Sequence, residues 1–270
     1  MNHPATHREN FHLKESMRAY WSERAKTFDD AFGHGILSPD EFRARQKPIR
    51  DTLGAKPLRV LELACGTGEI TKLIHDLGHD VTALDFSEAM LDVARAKHAG
   101  KPRLRFLLAD AENTMEPDEC YDAIICRHLV WTLLEPEPTF REWKRLLTPG
   151  GKLVVYDGDW SKPTSVGRIA ASLVAAIDRF FGADPYYDGS LSERHAEIIR
   201  ALPFAGGLHY EALAQMLEDA GFVSVSRISH ALIAKAQRRT ANLRNRLRTH
   251  VYRRFILTAS RPMEMQTGSD

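Results

Sequence analysis

Two rhythms of apolar and polar residues share this chain. Short apolar runs at 60–64, 81–84, 104–109, 121–126 and 152–157 read as strands buried on both faces. Between them, apolar residues recur at helical spacing: Ile70, Leu73, Ile74 and Leu77; Met90, Leu91 and Ala94; then Phe140, Trp143, Leu146 and Leu147. Gly78 ends the first of these helices, and Thr148-Pro149-Gly150-Gly151 is expected to end the third. Strands alternating with helices predict a doubly wound parallel sheet with ligands at the C-terminal ends of its strands.

The flanks follow a different pattern. A helix is predicted over 13–30, carrying Tyr20, Trp21, Ala25 and Phe28 and broken at Gly33-His34-Gly35. Another starts at Ser38, with Pro39 in the first turn and Glu41 completing a capping box. Phe42 and Ile49 are its expected core contacts, and Gly54 its end. After residue 160 a long apolar stripe runs through Val166, Ile169, Ala170, Leu173, Val174, Ile177 and Phe181. The loop Asp184-Pro185-Tyr186-Tyr187-Asp188-Gly189, a short helix over 191–202 and Phe204 follow. A helix over 210–220, capped by Gly221, and strands at 223–228 and 251–259 close the chain, the strands as an antiparallel pair. The whole is read as one domain: 1–54 helical, 57–160 the core, 162–207 a helical insertion, and 208–261 the final helix and strands.

Composition narrows the function classes. With 270 residues and 43% hydrophobic content, the chain can bury a full core. A net charge of +1 gives no global attraction to nucleic acid or to an anionic membrane. No apolar run approaches the roughly 18 residues that span a bilayer, and residues 1–15 do not form a secretory signal. Cys65, Cys120 and Cys126 cannot all pair and read as small fillers in a reducing cytoplasm. Metal-ligand spacing is absent.

The chemistry gathers around Val60-Leu61-Glu62-Leu63-Ala64-Cys65-Gly66-Thr67-Gly68. Strand, G-x-G turn and helix form the start of a nucleotide-binding unit, where glycines let backbone approach a ligand closely. Thr71 stands where a dinucleotide fingerprint has its third glycine, and Glu62 lies inside the strand. A carboxylate there repels a pyrophosphate but suits a ligand with an ammonium group, which disfavours a nicotinamide-dependent oxidoreductase. Asp85, at the end of the second predicted strand, can accept hydrogen bonds from both ribose hydroxyls, with Ser87 available to cap the next helix.

The segment 62–68 resembles motif I of the class I S-adenosylmethionine-dependent methyltransferases, and the likeness continues to about Trp160, in the ubiquinone/menaquinone-biosynthesis-like branch. The resemblance implies a Rossmann-like, seven-stranded, mostly parallel sheet with an antiparallel last strand, an N-terminal helical lid, and a helical insertion after strand five. It implies S-adenosylmethionine as cofactor, held by Tyr20, Glu62, Ala64, Gly66, Gly68, Asp85, Phe86, Met90, Asp110, Ala111 and Arg127. Phe86 would lie on the adenine, Asp110 near its amino group, and the backbone of Ala111 on the ring nitrogen. Tyr20 and Trp21 would close over the methionine end, in competition with plain packing of an amphipathic helix.

In that family the residues after strand four face the transfer centre. His128 is therefore the candidate base, with a hydrogen-bonding role as its rival. His34 and Tyr186 are weaker candidates. Arg127 could meet an anionic group or point away, and Asp157 could position an acceptor. The acids Glu112, Glu116, Asp118 and Glu119 read as a solvated loop. The arginines at 238, 239, 244, 246, 248, 253 and 254 could dock RNA, but Leu243, Leu247 and Val251 run an apolar stripe through them, favouring a solvated helix face. The expected activity is methyl transfer to a small-molecule acceptor, at O, N, S or C. An RNA methyltransferase and a noncatalytic S-adenosylmethionine-binding protein remain the alternatives. The 162–207 segment is expected to roof the acceptor pocket with Tyr186, Tyr187 and Phe204, or else to form a homodimer surface.

Overall fold

The computed structural model describes residues 4–182 and 189–263. Two helices, α1 (Pro4–Arg24) and α2 (Pro39–Leu53), precede the first strand, with a short 3-10 turn at Phe28–Asp30 between them. Then β1 (Arg59–Leu63), α3 (Glu69–His75), β2 (Asp80–Asp85), α4 (Glu88–Lys97), β3 (Leu104–Leu108), β4 (Tyr121–Arg127), α5 (Pro136–Leu146) and β5 (Leu147–Asp159) follow. After these come α6 (Ser165–Phe181), α7 (Gly189–Ala201), α8 (Tyr210–Asp219), β6 (Val223–Ser229), α9 (Ala231–Thr240), α10 (Leu243–Arg248) and β7 (Arg253–Ser260). The strands form one sheet in the order β3-β2-β1-β4-β5-β7-β6, with β7 antiparallel to both neighbours and the pairs from β3 to β5 parallel. This is the expected Rossmann-like α/β architecture.

Alternation along the central strands divides the core into two layers. Leu61 and Leu63 of β1 face Ile124, Phe140, Trp143, Leu213 and Leu217, whereas Val60 faces Ile49, Ile70, Ile74, Ile125 and Ile256. Each such side chain, fully buried, contributes about 1.5–3 kcal/mol. The register Leu63↔Leu84 and Leu63↔Cys126 brings the C-terminal ends of β1, β2 and β4 to one rim. Over that rim lies α1, where Lys14 pairs with Asp110 at 2.7 Å and Glu112 at 2.9 Å, and the Ser22 and Ser87 hydroxyls meet at 2.8 Å.

Several local expectations need correction. The strand after α5 starts earlier than expected, Leu147 pairing with Tyr121, but residues 148–151 then shift out of register before Lys152 pairs with Ala123. Gly150 there has φ 77°, and Arg261 N–H donates to the Gly151 carbonyl at 2.9 Å. Ser38 does cap α2, accepting from Glu41 N–H at 3.1 Å, but Glu41 does not complete the box. Its carboxylate accepts from Leu37 N–H at 3.3 Å and from Arg45 and Gln237 at 2.7 and 3.0 Å, because a buried charge is drawn to a guanidinium.

The connection 229–250 forms two helices, and its arginines are engaged rather than simply solvated. Arg239 pairs with Asp40, Arg244 with Asp178, and Arg238 donates to Thr249. The acids before β4 are not simply solvated either: Glu116 accepts from Tyr121 and Arg105, and Glu112 from Glu135 N–H and Lys14. Phe204 packs, partly buried, against the main core. The α6 stripe is only half used, with Gly167 and Ala170 buried while Val166, Ile169 and Leu173 face solvent. Tyr186 and Tyr187 lie outside the described residues. No helix among the described residues is long and apolar enough to cross a membrane.

The pair Glu41–Arg45 is buried on both sides and fastens α2 to α9 through Gln237. Removing one partner strands the other charge, so Arg45→Met should cost about 3–5 kcal/mol of unfolding free energy. Arg43→Met, in an exposed pair with Asp40 on the same helix, should cost less than about 1 kcal/mol. Equal denaturation midpoints for the two variants would contradict this assignment.

Candidate functional site

The rim is built first from strained backbone. The chain leaves β1 through Ala64, Gly66 and Gly68, all at positive φ (50°, 55° and 83°), and leaves β4 through His128 at φ 58°. For non-glycine residues that conformation costs about 1–3 kcal/mol, and it is retained most often where function requires it. Gly68 cannot be replaced cheaply, since a Cβ would lie 2.7 Å from His98 Nε2. Over Gly66 lies the ring of Phe28, and beside it Thr67 hydrogen-bonds Asp29. The N-terminal segment is thus seated directly on the glycine turn.

Three buried carboxylates lie near the C-terminal ends of β1, β2 and β5. Glu62 of β1 accepts from Thr71 on α3, and burial raises its carboxyl to about 8. Asp85 of β2 accepts from Gly66 N–H at 2.8 Å and Ser87 N–H at 2.9 Å; burial raises it to about 6 against those bonds. Ser87 caps α4, accepting from Met90 N–H, so Asp85 is left free of that task. Asp157 of β5 is raised to about 7 by burial. Its oxygens accept from Val130 N–H, Gly158 N–H and Trp160 Nε1–H, so it orients Trp160 and the turn after β4.

Arg127 turns toward the N-terminal segment, donating to the Gly33 and His34 carbonyls at 3.3 and 2.9 Å. Withdrawal from water pushes it down to about 10. A run of ring contacts links that segment to β5: Trp21 to Phe28 at 5.9 Å, Phe28 to His34 at 4.2 Å, and His128 to Trp160 at 4.8 Å. Between the two pairs, His34 and His128 stand 6.4 Å apart. Burial lowers His34 to about 3 and holds His128 well below the ordinary imidazole range, Arg127 adding to both. Both imidazoles are neutral at physiological pH. On the other side, His195 of α7 stacks on Tyr20 at 5.2 Å and meets Trp21 and Trp131 edge-on.

An acidic, water-poor rim with close-approach glycines fits a ligand that carries positive charge at one end and hydroxyls in its middle. Residues 61–155 match the family model described as "Methyltransferase domain". The demethylmenaquinone methyltransferase of Renibacterium salmoninarum is 32% identical over 213 residues, which span 76% of this chain and 85% of that protein. The chain belongs to the class I S-adenosylmethionine-dependent methyltransferases. The ubiquinone/menaquinone biosynthesis C-methyltransferase of Shewanella piezotolerans is 31% identical over 183 residues, 65% of this chain and 71% of that one. Fold likeness reaches further. Phosphoethanolamine N-methyltransferase 2 of Haemonchus contortus superposes with a TM-score of 0.62 at 14% identity, over 90% of this chain and 57% of that one. A SAM-dependent methyltransferase from Aquifex aeolicus gives 0.54 at 18% identity, over 88% and 97% of the two chains.

The cofactor of this methyltransferase is S-adenosylmethionine, and the anticipated residues divide by position. Glu62, Ala64, Gly66, Gly68, Asp85 and Arg127 share the rim described above. Met90 is buried in α4, and Ala111 is buried with its carbonyl accepting from Trp143 Nε1–H at 2.8 Å. Phe86 and Tyr20 join a small apolar cluster with Met17, Ile198 and Leu202. Asp110 is already held by Lys14, a contact that no local pattern announces because 96 residues separate the two. His195 was missed for the same reason.

The carboxylates give a pH test with a definite sign. A cationic ligand favours the ionised form of Asp85, so part of its binding energy is lost when that group is protonated in the free protein. The part of S-adenosylmethionine affinity that depends on Asp85 should therefore be full above about pH 7 and fall as pH drops through about 6, approaching tenfold per unit. Calorimetry in buffers of different ionisation enthalpy should detect protons released on binding near pH 6. The release should be smaller in Asp85→Asn. Binding that is independent of pH between 5 and 8 in the wild type would show that the carboxylate does not meet the ligand.

Proposed function

We propose that the enzyme methylates a ring carbon of an electron-rich aromatic acceptor, a hydroquinone-type small molecule. The observation that carries this is the row of aromatic and neutral imidazole rings facing the rim from both sides, Trp21, Phe28, His34, His128 and Trp160 on one and His195 with Trp131 on the other. Flat rings favour a flat acceptor through stacking and edge contacts. The names of the quinone-biosynthesis relatives support the same acceptor class.

On this reading Asp85 receives the ribose hydroxyls through lone pairs that Gly66 and Ser87 do not use. Asp110 and the backbone at Ala111 read the adenine, with Phe86 on its face and Met90 beneath. Glu62 and the backbone of Arg127 face the methionine end, while Tyr20 and Trp21 cover it as part of an N-terminal lid. S-adenosylmethionine supplies, when bound, an activated methyl group whose departure leaves a neutral thioether. The chain's own contribution is alignment, worth roughly 7–11 kcal/mol in favourable intramolecular cases, and exclusion of water. His128, neutral and poorly basic, accepts a hydrogen bond from an acceptor hydroxyl and thereby directs electron density into the ring. As the ring carbon takes the methyl from sulfur, the proton it carried is lost to water when the site reopens. His195, on the α7 part of an acceptor cover formed by 162–207, sets the outer wall.

Incubation with S-adenosylmethionine and a panel of reduced naphthoquinols, benzoquinols, amines and thiols tests the assignment. Mass spectrometry should find one methyl group on a ring carbon of a quinol. Turnover of an amine with none of a quinol would refute it. His195→Ala should raise the acceptor KM several-fold with the dissociation constant for S-adenosylhomocysteine unchanged; a matching change in both would place His195 in the donor site. A true general base contributes about 10²–10⁴-fold, whereas a hydrogen-bond acceptor contributes closer to tenfold. His128→Gln should therefore lower kcat about tenfold with an unaltered pH profile. A loss beyond a hundredfold together with a displaced profile would make His128 the base.

A further inference from the structure

The apolar face of α6 is left without a protein partner among the described residues, although nothing about methyl transfer requires it. At 100° per residue, Val166, Ile169, Leu173 and Phe180 fall within an arc of about 60°, and Phe181 follows at the helix end. Val166, Ile169 and Phe180 are 65%, 66% and 80% exposed. The helix is nevertheless firmly placed. Thr164 caps it by accepting from Gly167 N–H at 2.8 Å, and Thr164 N–H donates to the Val251 carbonyl at 3.1 Å. Gly167 lets it settle on that same carbonyl, which a Cβ would approach to 2.2 Å. Rigid anchoring on one side and bare apolar residues on another describe a helix built to present a surface.

The charges beside the stripe are positive. Arg168 and Arg179 are exposed on the polar side of α6. The helix's one carboxylate, Asp178, is taken by Arg244 at 2.9 Å, with Arg248 at 4.0 Å. A second copy of the chain is the poorer occupant. A helix of 17 residues is about 25 Å long and 10 Å wide, so its face offers roughly 250 Å², against about 800 Å² per partner in a stable dimer. A two-fold contact through that narrow face would also bring the same arginines toward one another. Apolar residues beside cations match the interface of an anionic bilayer, where the apolar side enters the headgroup region and arginine side chains reach the phosphates. A helix lying on the surface needs no spanning length.

We propose that the exposed face of α6 docks the enzyme on anionic phospholipid, with Val166, Ile169, Leu173, Phe180 and Phe181 entering the headgroup region and Arg168 and Arg179 pairing with lipid phosphates. This does not depend on the acceptor's identity, because binding is read without turnover. The full chain is sedimented with vesicles of phosphatidylcholine and phosphatidylglycerol in a two-to-one ratio, and with phosphatidylcholine alone. The mixed vesicles should carry down at least about tenfold more protein than the neutral ones, and the excess should disappear at high salt. The pair Ile169→Glu/Phe180→Glu should abolish sedimentation. Both sites are exposed, so thermal stability and S-adenosylhomocysteine affinity should stay at wild-type values. Arg168→Gln/Arg179→Gln should remove the preference for anionic lipid. Absence of wild-type sedimentation, equal sedimentation of the glutamate variant, or a dimer in solution that the glutamate variant dissociates without any vesicle binding would each overturn the proposal, the last by assigning the face to a second copy.

Discussion

Taking carboxylates out of water at the ends of parallel strands is the constraint on which this structure turns. Glu62, Asp85 and Asp157 are each raised by burial toward or beyond neutrality, despite hydrogen bonds that work in the opposite direction. An unpaired buried charge is normally replaced or neutralised during evolution of a core. Here each is held instead by hydrogen bonds, Glu62 from Thr71, Asp85 from Gly66 and Ser87 N–H, and Asp157 from Val130, Gly158 and Trp160. The parallel sheet makes this possible, since its register brings the C-terminal ends of β1, β2, β4 and β5 to the same side.

The N-terminal segment answers that constraint from above. Arg127 does not neutralise the carboxylates by a direct ion pair; it donates to the carbonyls of Gly33 and His34 and so binds the segment to the end of β4. Phe28 covers Gly66, and Lys14 spans Asp110 and Glu112. Apolar packing joins these polar contacts, with Met17, Tyr20, Ala25 and Ile49 buried against the rest of the chain.

How much of this could be read from sequence depended on how far apart the contacting residues lie. The turn from β1 to α3 was legible because its signals are neighbours: apolar run, G-x-G, then helical spacing. Ser87 as cap and Asp85 beside it were legible for the same reason, and so was the parallel sheet implied by strand–helix alternation. Lys14, His195 and Trp160 acquire their roles only by tertiary contact, and α1 itself carries little periodicity to announce which face it buries. The α6 stripe shows the opposite failure. Its spacing announces an apolar face, yet periodicity cannot say what covers it, and the structure fully buries only its small residues, Gly167 and Ala170, with Val174 and Ile177 partly covered. Glu41 does not close a capping box because one oxygen is held by the Arg45 guanidinium and the other by Leu37 N–H, one residue before the cap.

The two halves of the proposed site share one mechanical element. Lys14 reaches the β3 end from α1, while Tyr20 and Trp21, about two turns along the same helix, meet His195 on α7. A continuous helix cannot seat one of these ends while lifting the other by much, because its axial rise is fixed and its length between them is only about 10 Å. Covering the adenine side of the donor and walling the acceptor side would therefore be one event. That coupling has a chemical use. An activated methyl group exposed to water beside an ill-placed acceptor is wasted, whereas closure that requires both ends to fit admits transfer only when donor and acceptor are both in place.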